Sequence, residues 1–292
     1  SVRTFEQLGR TYLPDSPGTS LAVELLNQVP VVSAVMGSVA GLPAIEACLC
    51  HFNVMVKDTS QVFAGGPPVV KAALGYDITK EELGDHRSQV FTAGVIDNLA
   101  DSEEEAFEMI RKFLSFMPSN VWKKPERIET DDDPERRDEE LLSIIPRNPR
   151  RSYDPRKILE HVLDRDSFFE IAPHHGRARI TGLARANGYP IGVMINNPNH
   201  LGGSTDGAAG EKAMRLWSLC DTFHLPVVSF VDEPGFMVGM DAQNAGIVRA
   251  GARMVAAQCR SQSPWISFYM KQAYGVAGQT HHRPTGMYHR YA

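Results

Sequence analysis

Residues 30–44 and 264–278 are two versions of one unit, Pro30-Val-Val-Ser-Ala-Val-Met-Gly-Ser-Val-Ala-Gly-Leu-Pro-Ala44 and Pro264-Trp-Ile-Ser-Phe-Tyr-Met-Lys-Gln-Ala-Tyr-Gly-Val-Ala-Gly278. They align without a gap and match at Pro30/Pro264, Ser33/Ser267, Met36/Met270 and Gly41/Gly275. Each reads as a buried strand running into a small-residue turn that opens a helix. The first N–H groups of a helix have no partner within it, so they point outward as donors and can hold an oxyanion. Two such cradles imply chemistry with two anions to stabilise. Any α/β chain also repeats strand, turn and helix, and the spacing alone leaves both readings open. Other polar candidates adjoin apolar runs. Asp232 follows a buried strand, where it could cap the turn before Pro234-Gly235, and His281 and His282 lie just beyond the second turn, in reach of a catalytic role.

The elements that must position these turns follow from periodicity. Val31 to Met36 is a strand, Leu42 to Cys50 an apolar stretch read as a buried helix, and Asn53 to Val56 a short strand. Ser102 caps a helix with Glu105 three residues on, acids in its first turn and Ala106, Met109, Ile110, Phe113 and Leu114 on one face, ending near Pro118. From Lys123 to Glu140, 14 of 18 residues are charged, and prolines at 118, 125, 134, 146, 149 and 155 punctuate the region, which reads as a linker. Beyond it, Arg179 to Leu183 and Ile191 to Ile195 form a hairpin across Ala186-Asn187-Gly188. Glu211 to Phe223 is an amphipathic helix, Val227 to Val231 a buried strand, and Ile247, Val248, Gly251, Met254 and Val255 mark a further helix. The expected architecture is α/β, a mostly parallel sheet with flanking helices on each side of the linker: residues 1–120, a charged Pro-rich linker 121–157, and residues 158–292.

With 292 residues, 42% of them hydrophobic, and a net charge of −5, the composition is that of a soluble globular protein longer than one average domain. No basic patch dominates, which argues against nucleic acid or an anionic membrane as partner. No apolar run approaches the roughly 20 residues of a membrane span, and Ser1-Val-Arg-Thr-Phe-Glu lacks a signal-peptide core. Cys48, Cys50, Cys220 and Cys259 lie in apolar segments without C-x-x-C spacing, so reduced core thiols in a reducing compartment are expected, and no metal site.

A resemblance then becomes specific. Asn197-Pro-Asn-His-Leu-Gly-Gly203, Glu211-Lys-Ala213, Pro226-Val-Val-Ser-Phe-Val-Asp-Glu-Pro-Gly-Phe236 and Gly246-Ile-Val-Arg-Ala-Gly-Ala-Arg253 resemble the carboxyltransferase β subunits of biotin-dependent acyl-CoA carboxylases, the propionyl-CoA carboxylase group. Gly65-Gly-Pro67, Glu82-Leu-Gly84 and Ser115-Phe-Met-Pro-Ser-Asn120 resemble the same family in the same order, so the likeness runs over nearly the whole chain.

The resemblance implies two crotonase-like domains and two oxyanion holes. Gly41 and Leu42 would hold the thioester oxygen of an acyl-CoA as it becomes an enolate, and Val276 with Gly275 or Ala277 would hold the ureido oxygen of biotin. It implies transfer of CO2 from carboxybiotin to the α-carbon of an acyl-CoA. The alternatives are a biotin-dependent decarboxylase and a non-catalytic assembly subunit. The implied partners are a biotin carboxylase or biotin carboxyl carrier subunit and further copies of the chain, in a dimer-built hexamer of the cytoplasm or, in a eukaryote, the mitochondrial matrix. Lys212 either meets a CoA phosphate or is an ordinary solvated helix lysine. Leu42 and Val276 replace glycines of the family pattern. Gly278 and Gln279 stand where the family commonly has Tyr and Asp, which would fit a larger acyl group. The chain also looks short relative to the family at both ends.

Overall fold

The computed structural model describes residues 6–10, 17–148, 150–283 and 285–292. Pro149 of the linker and the start at Ser1 lie outside them. After a helix Pro17–Leu26, the first half lays down β1 (Val32–Val35), β2 (Ser38–Ala40), the helix Leu42–Leu49, β3 (Phe52–Val56), β4 (Gln61–Phe63), three short helices and β5 (Asn98–Ala100). Strands β1, β3 and β5 form a parallel sheet in the order β1-β3-β5, and β2 pairs in parallel with β4. All five residues of β3 are buried, as suits the central strand of a parallel sheet. The helix Glu103–Leu114 follows, with Ser102 Oγ accepting from the Glu105 N–H at 3.2 Å as its sequence requires.

The second half builds one six-stranded sheet from β6 (Phe169–Ile171), β7 (Arg179–Ala186), β8 (Tyr189–Asn196), β9 (Val227–Glu233), β10 (Trp265–Ala273) and β11 (Tyr288–Tyr291), in the order β11-β10-β9-β8-β7-β6. The pairs from β8 to β11 are parallel and the hairpin side is antiparallel. Asn187 and Gly188 both have positive φ, 50° and 78°, the signature of the tight hairpin turn. The helix Gly207–Phe223 starts four residues earlier than periodicity suggests, because Asp206 caps it by accepting from the Ala209 N–H at 2.8 Å. The helix Ile247–Arg260 packs beside it.

Two expectations change. The helix Leu42–Leu49 buries only Ala44, while Leu42, Ile45 and Leu49 are exposed, so its apolar run is a surface and not a core. Of the four free cysteines only Cys220 is buried; Cys48 and Cys50 are half-buried and Cys259 exposed.

One cluster of buried side chains spans both halves. Phe52, Val54, Phe113 and Phe116 of the first pack in the same core as Leu183, Trp217 and Trp265 of the second. Polar ties cross the same seam: Asn98 Nδ2 donates to the Glu170 carbonyl and Asn98 Oδ1 accepts from the Ala172 N–H, both at 3.0 Å.

The charged linker is laid along the second half. Arg136 donates to the carbonyls of His161 and Leu163 at 3.0 and 2.9 Å, and Arg127 donates to the Asn187 carbonyl at 2.8 Å. The Ile128 N–H donates to the Gly188 carbonyl, and a Cβ added at Gly188 would stand 1.9 Å from the Ile128 carbonyl oxygen. Gly188→Ala therefore meets both a positive φ and a backbone clash. It is expected to cost more than about 1 kcal/mol and to open residues 123–140 to cleavage in limited proteolysis; an unchanged digest would show that the strap does not depend on this approach.

Candidate active site

Both turns are built alike. Gly41 and Gly275 have φ of 68° and 61°, with nothing within 4 Å of an added Cβ, so the backbone conformation and not space demands glycine. Ser33 Oγ donates to the Ala47 carbonyl, fourteen residues on, at 3.1 Å. Ser267 Oγ donates to the His281 carbonyl, again fourteen residues on. The serines matched in the sequence thus make the same bond, each latching the far side of its turn and helix back to the strand that leads in.

The donors differ from expectation in one respect. The Gly41 N–H donates to the Phe63 carbonyl at 3.2 Å, extending the β2–β4 ladder by one bond, which leaves the Leu42 N–H as the first turn's free donor among the described residues. In the second turn the N–H groups of Gly275, Val276 and Ala277 have no partner among the described residues, and the Gly278 N–H closes the short helix on the Tyr274 carbonyl at 3.0 Å. Both turns reach the surface, Leu42 being 47% and Val276 51% exposed, but Ala277, in the second turn's short helix, is fully buried.

Gly278 is buried, and a Cβ there would stand 2.8 Å from the Ala273 backbone. It has no room for any side chain. Gln279 is exposed, and its carbonyl accepts from Gln258 Nε2 at 3.1 Å.

Lys212 is not a solvated helix lysine. It is 7% exposed, lining a cavity with His51, Asp97 and Arg215, and its Nζ donates to the carbonyls of Ala172 and His175 at 2.7 and 3.2 Å. Burial pushes its ammonium down to about 8. Ala172 has φ of 53°, a conformation L-residues rarely adopt, and is held from both sides by Asn98 and Lys212. Lys212→Met should lower stability by about 1–3 kcal/mol, the cost of leaving buried carbonyls unpaired, with little change in KM for acyl-CoA. A raised KM at unchanged stability in denaturant titration would instead place the ammonium on the substrate.

Asp232 does not cap its turn. It is buried, accepting from the Tyr153 hydroxyl at 2.9 Å and Gln272 Nε2 at 3.3 Å, while Glu233 Oε1 takes the Gly235 N–H at 3.0 Å. His281 belongs to a network that local sequence did not reveal. Glu233 Oε2 accepts from Arg179 Nη2 at 2.6 Å, Thr205 Oγ1 at 2.6 Å and Asn196 Nδ2 at 3.0 Å. Arg179 Nη1 lies 2.7 Å from His281 Nε2, and Ser229 Oγ 2.7 Å from His281 Nδ1. His281 Nε2 also lies 3.3 Å from Glu233 Oε2, and Arg179 Nη1 3.3 Å from His281 Nδ1, so the imidazole touches both members of the ion pair. Arg179, Glu233 and His281 are all fully buried. The signal in the sequence was charge, Arg179 and Glu233, at the ends of mostly apolar strands. His282 is half-buried behind this network, against Tyr288.

Burial, with the positive charge of Arg179, drives His281 down to about 4. Burial alone would raise Glu233, but the Arg179 charge and the bonds from His281 and Thr205 outweigh it and hold the carboxyl at about 2. Both lie below their ordinary values of 6.5 and 4.5, so as pH falls the unfolded chain binds protons first and stability declines. His281 contributes between pH 6.5 and about 4, Glu233 between 4.5 and about 2. The His281 step is on the order of 3 kcal/mol. Denaturant midpoints measured across this range should fall from pH 6.5 downward, and His281→Asn should remove the upper part of the fall.

The α/β architecture, with its parallel sheets, is that of the crotonase-like carboxyltransferases. The chain belongs to the carboxyl transferase domain family, whose profile matches residues 21–280. It is 39% identical over 249 residues to a propionyl-CoA carboxylase carboxyltransferase subunit of Haloferax mediterranei, covering 85% of this chain and 48% of the relative. It is 36% identical to the methylmalonyl-CoA decarboxylase subunit alpha of Veillonella parvula over 247 residues, 85% of this chain and 48% of that one. The transcarboxylase 12S structure, a hexamer solved with methylmalonyl-CoA and methylmalonic acid, superposes with a TM-score of 0.87 at 29% identity over 92% of this chain and 53% of that one. The chain thus spans about half the length of the curated relatives it matches. No helix among the described residues is long and apolar enough to cross a membrane.

Proposed function

We propose that this chain forms a carboxyltransferase that moves a carboxyl group from carboxylated biotin, carried by a partner subunit, to the α-carbon of an acyl-CoA. The observation that carries the reading is the doubled unit: in each half a glycine of positive φ, unpaired N–H groups at the helix start and the same serine latch. Biotin, when bound and carboxylated, supplies the carboxyl group and a ureido oxygen that gains negative charge. The Val276 N–H, with that of the exposed Gly275, would receive such an oxygen; Ala277, the alternative second donor, is fully buried. The Leu42 N–H is placed to receive the thioester oxygen of the acyl-CoA as negative charge gathers there. Fixed amide dipoles stabilise charge that develops during reaction, one donor being worth about 3–4 kcal/mol.

The same donors serve either direction, and the Veillonella relative's name supports decarboxylation as the second reading. Since each turn opens on the surface of the single chain, we place the first turn of one subunit opposite the second turn of another, in a dimer-built hexamer; the hexamer assembly of transcarboxylase 12S supports an oligomer of that size. The full-length protein with its biotin-bearing partner should carboxylate an acyl-CoA. Transfer in neither direction by the folded complex would leave the assembly-subunit reading.

Two substitutions test the donors and the pocket. Leu42→Pro deletes an N–H that makes no bond within the described chain, at a first helical position that suits proline. It should lower kcat about 100- to 1,000-fold, while Leu42→Gly retains most activity; equal rates in both folded variants would remove Leu42 from the site. Gln279→Asp restores the acid of the family pattern beside the second turn, without forcing a side chain onto Gly278. It should shift preference toward shorter acyl-CoAs, by about fourfold for each methylene the pocket no longer buries; an unchanged chain-length profile would place Gln279 outside the pocket.

A further inference from the structure

We propose that Arg179, Glu233 and His281 are positioning residues for the second turn, clamping it from both ends so that its amides present one fixed geometry; this rests on the carboxyltransferase reading of that turn. The Glu233 backbone carbonyl accepts from the Tyr274 N–H at 2.9 Å, immediately before Gly275. At the other end, the His281 carbonyl accepts from Ser267 on β10, the strand that leads into the turn. Glu233 and His281 are themselves joined through Arg179, whose Nη2 meets the carboxylate at 2.6 Å and whose Nη1 meets the imidazole at 2.7 Å. The segment 274–281 is therefore a short bridge with both abutments fixed to one fully buried cation.

The first turn also has an ion pair behind it, but one open to solvent. The Ala47 carbonyl that Ser33 latches accepts from Asn53 Nδ2 as well, at 3.1 Å, the Asn53 N–H donates to the Asp97 carboxylate at 3.1 Å, and Asp97 pairs with Arg215, whose side chain is 45% exposed where Arg179 is fully buried. A buried ion pair is seldom more stabilising than well-packed apolar residues of the same volume, so stability alone does not account for a pair taken fully out of water behind the second turn. What charge adds is geometric specificity: charge-assisted bonds are short and directional, and a carboxylate accepting from several donors has one arrangement. Donors held in advance of reaction cost no reorganisation when charge develops. Catalysis would then depend on the clamp at the biotin side, while acyl-CoA binding at the first turn would not.

The test uses the full-length protein and two variants, Glu233→Gln and the paired Arg179→Leu/Glu233→Leu, so that a folded clamp-free form is in hand if either fails to fold. Hydrogen exchange of the Tyr274, Gly278 and Thr280 amides, each bonded in the wild type, should quicken at least tenfold, with the β7–β8 ladder amides within twofold of wild type. With the biotin-bearing partner, kcat should fall at least tenfold and KM for acyl-CoA stay within twofold. Unchanged exchange at 274–280 overturns the proposal, as does equal loosening of β7–β8, which marks a general structural role. Wild-type protein that transfers no carboxyl group overturns the reading of the turn, while the exchange result still decides the clamp.

Discussion

A backbone amide can bind an outside oxygen only if the fold leaves it unpaired, yet an unpaired amide has nothing of its own to hold it still. The structure around both turns answers that constraint. The segment on each side of the free donors is bonded, and the donors themselves are not: Ala44 and Ile45 fold back on the Gly41 carbonyl, and Gly278 on that of Tyr274, leaving Leu42 and Gly275 to Ala277 open. Exposure makes the arrangement tolerable at Leu42, Gly275 and Val276, because water can satisfy their idle N–H groups; Ala277 is fully buried and does not share that relief.

The two turns meet the constraint by different means. The first rests on a two-stranded ladder, β2 with β4, and a surface helix. The second stands at the end of the nine-residue strand β10, against β9, with Gln258 of the helix Ile247–Arg260 tying down the Gln279 carbonyl from behind. The shared serine latch shows that one construction underlies both, and the surroundings show that each half supports it with different chemistry.

Much of this was legible because it is local. Ser102 and Glu105, Asn187 and Gly188, and the glycines at 41 and 275 each act within a few residues, and the matched serines kept their identity because they make one bond in both halves. The pairing that consumes the Gly41 amide is not legible, because β2 and β4 are three residues each, too short to show a period. The run from Leu42 is apolar but for Glu46, so pattern could not tell a buried helix from a surface one. The network around Glu233 was invisible for another reason: its partners lie 28 to 54 residues away in the chain, and only the sheet brings them to one place.

The core that spans both halves has a consequence for synthesis. Phe52, Phe113 and Phe116 close against Trp217 and Trp265, so the first half leaves the ribosome with that apolar face uncovered. About a hundred further residues must be made before Trp217 appears, roughly 5–20 seconds at ordinary elongation rates. During that interval the nascent chain offers a sticky surface of aromatic rings, and it is then that a chaperone's attention, or a neighbouring ribosome's identical product, would decide the yield of folded protein.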